Sequence, residues 1–203
     1  MRVQADLVAD LRRQGITDER VLAAVAEVPR HLFVAPGDEE RAYHDIALPI
    51  GRGQTISSPW IVARSIAALG PLTDGRVLEI GTGSGYAAAV LARCVGQVVT
   101  VERDAELARR AGTILSEIAP TVDVRTGDGL ELAGELGPFD GIVVTALAQS
   151  RLPTELVGAL TPDGVLVCPV GDDRVGTLVR YQHGESVGLA EVTFVPLVRG
   201  TRD

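Results

Sequence analysis

The apolar run Val77-Leu78-Glu79-Ile80 leads straight into Gly81-Thr82-Gly83-Ser84-Gly85-Tyr86, and Glu102 stands twenty-one residues beyond Gly81, closing a second apolar run. A short hydrophobic strand, a glycine-dense turn, an apolar-periodic helix and an acid at the end of the next strand form the layout of a βαβ unit that grips an adenosine-type ligand. Glycine tolerates positive φ and lets the backbone approach a ligand closely. The acid accepts hydrogen bonds from a ribose diol.

The spacing selects among such ligands. A dinucleotide fingerprint is G-x-G-x-x-G, in which the last glycine permits close helix–strand packing beside a pyrophosphate. Here the pattern is G-x-G-x-G, and Tyr86 occupies that last position. A phenol ring there is expected to crowd a pyrophosphate, so a nucleoside without phosphates fits better. Glu79, close to the turn, suits an ammonium group. S-adenosylmethionine has an ammonium, a ribose and no phosphate. The donor-binding set expected on this reading is Glu79, Gly81, Thr82, Gly83, Ser84, Glu102 and Arg103, joined after later strands by Gly127, Asp128, Gly129 and Thr145. Asp128 is expected at the adenine edge and Thr145 beside the reacting centre.

Those residues need a sheet to hold them. Strands are predicted at 77–80, 98–101, 122–126, 141–145, 164–170, 176–182 and 190–196, with helices near 84–93, 104–118 and 153–160. Near-continuous apolar strands such as Ile142-Val143-Val144 suit a parallel sheet buried on both faces. The last two strands have no helix between them and are expected to pair antiparallel around His183-Gly184. Before this core, helices are predicted at 2–14 and 18–27, the second capped by Thr17 and stopped by Pro29. A third runs from Ser58-Pro59 to Leu69, with serine at the cap and proline at the first helical position. His31 to Gly53 reads as irregular. The fold expected is α/β: one domain with a doubly wound, mostly parallel seven-stranded sheet, residues 71–203, under an N-terminal helical cap and loop, residues 1–70.

Composition narrows the partners. With 27 acids against 19 bases the net charge is −8, which argues against a nucleic-acid substrate. All 19 bases are arginine, and lysine and asparagine are absent, which reads as the habit of a GC-rich genome. A hydrophobic fraction of 46% supports a sizeable core of small aliphatic residues. Cys94 and Cys168 have no metal-ligand spacing and read as buried thiols in helix and strand interiors; no metal is expected, and the three histidines read as structural or surface residues. No signal peptide or membrane-length apolar run is visible, so a cytoplasmic monomer is expected.

The stretch Ile46-Ala47-Leu48-Pro49-Ile50-Gly51-Arg52-Gly53-Gln54-Thr55-Ile56-Ser57 resembles the signature of protein-L-isoaspartate O-methyltransferases. Val28-Pro29-Arg30 with Phe33-Val34, Gly127-Asp128-Gly129, Phe139-Asp140-Gly141-Ile142, Pro169-Val170-Gly171 and Phe194-Val195-Pro196-Leu197 resemble it too, in order along nearly the whole chain. The resemblance implies a class I, Rossmann-like methyltransferase whose final strands are exchanged relative to most of that class. It implies transfer of a methyl group from S-adenosylmethionine to the α-carboxylate of L-isoaspartyl residues in damaged proteins and peptides. The ester then closes to a succinimide without the enzyme, which begins repair. By position Ser57 is the active-site serine, whereas Ser58 is explained by helix capping. Ile50, Gly51, Gly53, Gln54, Thr55, Ile56, Trp60 and Val195 form the expected acceptor-binding set, with Trp60 lining the peptide entrance.

One departure stands out. After Thr145-Ala146 the family continues with a further small residue, often followed by prolines, whereas this chain has Leu147, expected to narrow the acceptor pocket. That leaves a second reading: methylation of one aspartate in a dedicated ribosomal peptide. A nicotinamide-dependent oxidoreductase is disfavoured by Tyr86, and a non-catalytic nucleoside-binding module by the intact Ser57 loop. Four Asp-Gly pairs, at Asp74, Asp128, Asp140 and Asp163, make self-damage conceivable unless ordered turns hold them.

Overall fold

A computed structural model describes residues 3–202; the predicted start of the first helix at residue 2 lies outside them. Helices α1 (Gln4–Arg13) and α2 (Glu19–Glu27) form a pair. Leu7 and Leu11, one turn apart, bury against the stripe of Val21, Leu22 and Val25. The cap of α2 is Asp18, not Thr17: the Asp18 carboxylate accepts from the Arg20 amide at 3.0 Å. An acid there also faces the positive end of the helix dipole.

Two 3₁₀ turns, Arg30–Phe33 and Glu39–Arg41, lead into a β-hairpin. Its strand β1 (Leu48–Gly51) lies in the stretch read as irregular, and β2 (Gln54–Ile56) follows directly after it. Gly51, Arg52 and Gly53 all have positive φ, at 88°, 57° and 75°, so the turn that suggested a loop closes a ladder. Helix α3 (Pro59–Leu69) follows with proline in its first turn. Ser58 holds the cap position, but its hydroxyl makes no capping bond.

Strands β3 (Arg76–Ile80), β4 (Gln97–Glu102), β5 (Asp123–Thr126) and β6 (Phe139–Val144) are parallel, as is β8 (Leu160–Asp172) beside β6. Strands β9 (Val175–Gln182) and β10 (Glu185–Thr193) then return antiparallel, turning at His183-Gly184 as expected. The order across the sheet is β5-β4-β3-β6-β8-β9-β10, so the last three strands neighbour one another in chain order. A two-residue β7 (Ala148–Gln149) pairs on β8, an eighth strand beside the expected seven. The predicted strand 190–196 instead ends at Thr193. Phe194 to Leu197 leave the sheet because Val195 and Leu197 exchange backbone bonds with Leu147, at 2.8 Å each.

Connecting helices cover both faces, as buried parallel strands require. Helix α4 (Tyr86–Leu91), helix α5 (Ala105–Ile118) and the three N-terminal helices pack on the face of Val77, Val98, Val143 and Val165. Helices α6 (Gly129–Leu136) and α7 (Thr154–Gly158) pack on the face of Leu78, Val99, Ile142 and Leu166. Helix α6 escaped sequence reading because its glycines mimic a turn; the Asp128 cap and buried Leu130 and Ala133 make it a helix. Cys168 lies in β8, while Cys94 lies in the turn after α4 rather than in a helix. Burial pushes their thiols up to about 12 and about 11, so both are un-ionised at neutral pH.

Candidate functional site

The chain crosses from β5 back to β6 on the far side of β3, so direction reverses between β3 and β6. Crevices at such switch points, beyond the carboxyl ends of the strands, are where open α/β sheets bind ligands. A cavity of about 120 Å³ opens there, walled by the glycine turn, the end of β4, the hairpin and residues 195–198.

The turn is held by its neighbours. Gly81 has φ 97°, and a Cβ on it would stand 2.3 Å from the Thr145 hydroxyl, so only glycine fits. That hydroxyl donates to the carbonyls of Ile80 and Gly81, at 3.0 and 2.7 Å. Thr145 therefore lines the crevice while its hydroxyl is spent on the turn. The Gly81 amide donates to the Val101 carbonyl at 2.8 Å, tying the turn to β4.

Glu102 stands on the crevice wall, only 7% exposed. One carboxylate oxygen accepts from the Gly83 amide at 2.9 Å and the other from the Asp104 amide at 3.0 Å. A carboxylate has about four acceptor sites, so two backbone bonds fix its orientation and leave capacity for a diol. The glycine turn thus aims the acid whose spacing from it marked the motif.

Glu79 is placed otherwise than expected. It is wholly buried on the α1–α5 face of the sheet and does not reach the crevice wall. Burial pushes its carboxyl up to about 8, against the opposing pull of a 2.5 Å bond from the Thr100 hydroxyl, while Glu102 raises it further. Desolvation wins, and Glu79 is mainly protonated at neutral pH. Thr100 in turn bonds the Thr82 hydroxyl at 2.6 Å, so the buried acid braces the glycine turn instead of meeting an ammonium.

Asp128 and Gly127 also stay off the wall. Asp128 caps α6 through the Leu130 amide at 2.9 Å, and its other oxygen accepts from the Gly200 amide at 2.6 Å. Gly127 donates to the Glu102 carbonyl at 2.9 Å and fastens β5 to β4. Gly129, Thr82, Gly83, Ser84 and Arg103 do line the crevice, although the Arg103 guanidinium is committed to the Gly200 carbonyl at 2.8 Å.

On the acceptor side, Gln54, Thr55, Ile56, Ser57 and Val195 line the crevice. Gly51 and Gly53 are exposed at the hairpin tip, and Ile50 packs behind the turn, its Cδ1 in contact range of Gly83. Trp60 is not at the entrance: its indole donates to the Gln14 carbonyl at 3.3 Å and its amide to Asp45 at 2.8 Å, sealing α1 onto α3. Leu147 is 1% exposed and packs toward Gly176, so it does not narrow the acceptor pocket. Tyr86 lines the crevice beside the turn and buries its ring in the core, edge-on to Phe33 at 5.7 Å between ring centres.

Three residues were missed in the sequence because their partners are remote. Arg30 is fully buried and donates to the carbonyls of Ala42, Ile46 and Ser57, at 2.5, 3.1 and 2.9 Å, with Tyr86 beneath its guanidinium. Burial draws its pKa down to about 10, still well above neutral pH. Asp104, the cap of α5, receives Arg52 from the hairpin tip at 2.7 Å. Arg202 lies 3.7 Å from the same carboxylate. A lone Asp before Ala-Glu signals a helix start, but no spacing rule links it to Arg52 or Arg202.

The residues present fit a nucleoside sulfonium: an acid with spare acceptor sites for a diol, apolar Ile80, Val101 and Leu197 around it, and crevice arginines already bonded to protein groups rather than arranged for phosphates.

A family model described as protein-L-isoaspartate(D-aspartate) O-methyltransferase matches residues 1–202. A protein-L-isoaspartate O-methyltransferase of Stenotrophomonas maltophilia (strain K279a) is 46% identical over 207 residues, covering 100% of this chain and 92% of the relative. That of Halorhodospira halophila (strain DSM 244 / SL1) is 48% identical over 205 residues, covering 98% and 93%. A crystal structure from Plasmodium falciparum, described as a protein-L-isoaspartate O-methyltransferase in complex with S-adenosyl-L-homocysteine, superposes with a TM-score of 0.84 at 27% identity, covering 98% of this chain and 99% of that one. A precorrin-6y C5,15-methyltransferase from Geobacter metallireducens, at 17% identity and a TM-score of 0.51 over 67% of this chain and 70% of that one, shares the fold alone.

Proposed function

The chain belongs to the protein-L-isoaspartate O-methyltransferase family, and from that membership we propose how its crevice carries out the transfer. The protein is an S-adenosylmethionine-dependent protein-L-isoaspartate O-methyltransferase. When bound, S-adenosylmethionine supplies a methyl group on a sulfonium, whose departure needs no acid.

The acceptor carboxylate is already ionised at neutral pH, so the chain supplies orientation rather than a base. Holding the reacting groups in register can supply several kcal/mol of the barrier. Ser57 donates its hydroxyl to one carboxylate oxygen and leaves the other free to attack. Gln54 and Thr55, on the hairpin strand before it, hold the isoaspartyl segment. Glu102 takes the ribose hydroxyls of the donor, and Thr82, Gly83 and Ser84 present the turn to it. The observation that carries this division is that Ser57 and Glu102 line one crevice, the first from the segment after the hairpin and the second from the end of β4.

The charge of −8 supports a peptide over a nucleic acid. Among the described residues no helix is long and apolar enough to cross a membrane. The dedicated-peptide reading loses its motive once Leu147 is removed from the pocket. The test is transfer of isotope-labelled methyl to an isoaspartyl peptide and its aspartyl twin. Labelling of the isoaspartyl form alone is expected; equal labelling, or labelling of neither, would reject the proposal.

A further inference from the structure

Asp104 gathers the two segments that roof the crevice. Its Oδ1 caps α5, accepting from the amides of Glu106 and Leu107 at 3.1 and 3.2 Å. Its Oδ2 takes the Arg52 Nε–H from the hairpin tip at 2.7 Å. Arg202, in the C-terminal segment, lies 3.7 Å from that same oxygen and donates to the Arg52 carbonyl at 3.3 Å. The Asp104 amide donates to Glu102 at 3.0 Å, so one residue contacts hairpin, C-terminal segment and donor-side acid.

The charges make this junction consequential. The Asp104 side chain is 4% exposed, while its backbone amide donates to the Glu102 carboxylate. Burial pushes the Asp104 carboxyl up, but the Arg52 guanidinium and the two helix amides outweigh that and hold it below the usual range. An anion so placed is costly without its cation. The Arg52 guanidinium also lies 3.7 Å from the exposed Glu106 carboxylate of α5, while the bond from Arg110 to the Ile50 carbonyl, at 3.1 Å, anchors the base of the hairpin.

We propose that Arg52 is a positioning residue: through Asp104 it latches the hairpin tip against the C-terminal segment, keeping the acceptor hairpin down over the donor crevice and setting how fast the donor nucleoside leaves. The proposal rests on the reading above that the crevice holds S-adenosylmethionine and that the hairpin carries the acceptor side.

The experiment compares wild type with Arg52→Ala, Arg52→Lys, Asp104→Asn and the Arg52→Ala/Asp104→Asn double variant. Asparagine keeps the cap acceptor while removing the charge. Two readouts are used: hydrogen exchange at Gly53 to Thr55 in the ligand-free protein, and the release rate of S-adenosylhomocysteine by stopped flow at low and high salt. Arg52→Ala and Asp104→Asn should each speed hairpin exchange and nucleoside release about tenfold, with the double variant no faster than either single one. Arg52→Lys should recover part of the loss, and release should quicken with salt in wild type and Arg52→Lys but little in the variants that lack one of the two charges. Rates within twofold of wild type, or two single effects that multiply in the double variant, would overturn the latch. If wild type releases the nucleoside as described but methylates no isoaspartyl peptide, the functional reading fails and the latch stands.

Discussion

The Arg30 guanidinium donates to the Ser57 carbonyl at 2.9 Å from a site with no solvent exposure. It also holds the Ala42 and Ile46 carbonyls and lies 5.4 Å from the centre of the Tyr86 ring, just past the glycine turn. One buried cation therefore sets where the acceptor serine stands relative to the donor side. Arg30→Lys keeps the charge but cannot reproduce the fork, which leaves buried carbonyls unpaired at about 1–3 kcal/mol each. Turnover should fall at least tenfold while S-adenosylhomocysteine affinity, measured by calorimetry, changes less than threefold. Equal losses in both would place Arg30 in scaffold duty alone.

Ser57→Ala should slow turnover while leaving donor affinity intact. Ser57 lines the crevice, and its backbone carbonyl is held independently by Arg30. A parallel loss of donor binding in titration would move the hydroxyl to the donor pocket.

Removing the Glu102 carboxylate deletes the proposed ribose acceptor. A hydrogen bond to a charged group is typically worth about 1.5–3 kcal/mol, so Glu102→Ala should weaken S-adenosylhomocysteine binding roughly ten- to a hundredfold. Because Gly83 and Asp104 also lose their acceptor, hydrogen exchange at both amides should rise. Unaltered affinity would reject the ribose assignment.

Glu79 makes stability depend on pH. Burial raises its pKa from the ordinary carboxyl range to about 8, so the folded chain keeps a proton that the unfolded chain releases. Its contribution is fully present below the unfolded pKa and is lost as pH rises toward about 8. The slope attributable to one proton is at most about 1.4 kcal/mol per pH unit. Urea unfolding between pH 5.5 and 7.5 should therefore show a fall in stability that Glu79→Gln lacks. Parallel curves for the two proteins would contradict a protonated Glu79.

Of the four Asp-Gly pairs, three have their carboxylates engaged: Asp128 by Leu130 and Gly200, Asp140 by the Arg76 amide and Thr161, and Asp163 by His183. Asp74 is exposed in a turn. Aged protein should accumulate isoaspartate first at Asp74, as read by peptide mapping; earlier appearance at one of the other three would mean that these bonds do not protect.

The order of elements, the parallel sheet and the nucleoside motif were legible in the chain because each depends on near neighbours. A glycine turn must follow its strand, continuous apolar strands must be buried on both faces, and an acid at the next strand's end lies beside that turn in any such unit. Gly81, Gly83, Glu102 and Ser57, which line the crevice, were singled out that way or through the family stretch around the hairpin. What tertiary structure alone decided was the use of each polar group. Glu79, Asp128 and Trp60 have residue types suited to a ligand, yet protein atoms claim them: Thr100 on the next strand, Gly200 from the far end of the chain, and Gln14 at the C-terminal end of the first helix. Arg30, Arg52 and Asp104 gained their roles from partners brought close by folding, across separations of 52 residues for the Arg52–Asp104 pair and 150 for Arg52 and Arg202. Local sequence encodes periodicity and turn chemistry, but pairing between distant polar groups is set only when the sheet and its covering helices close.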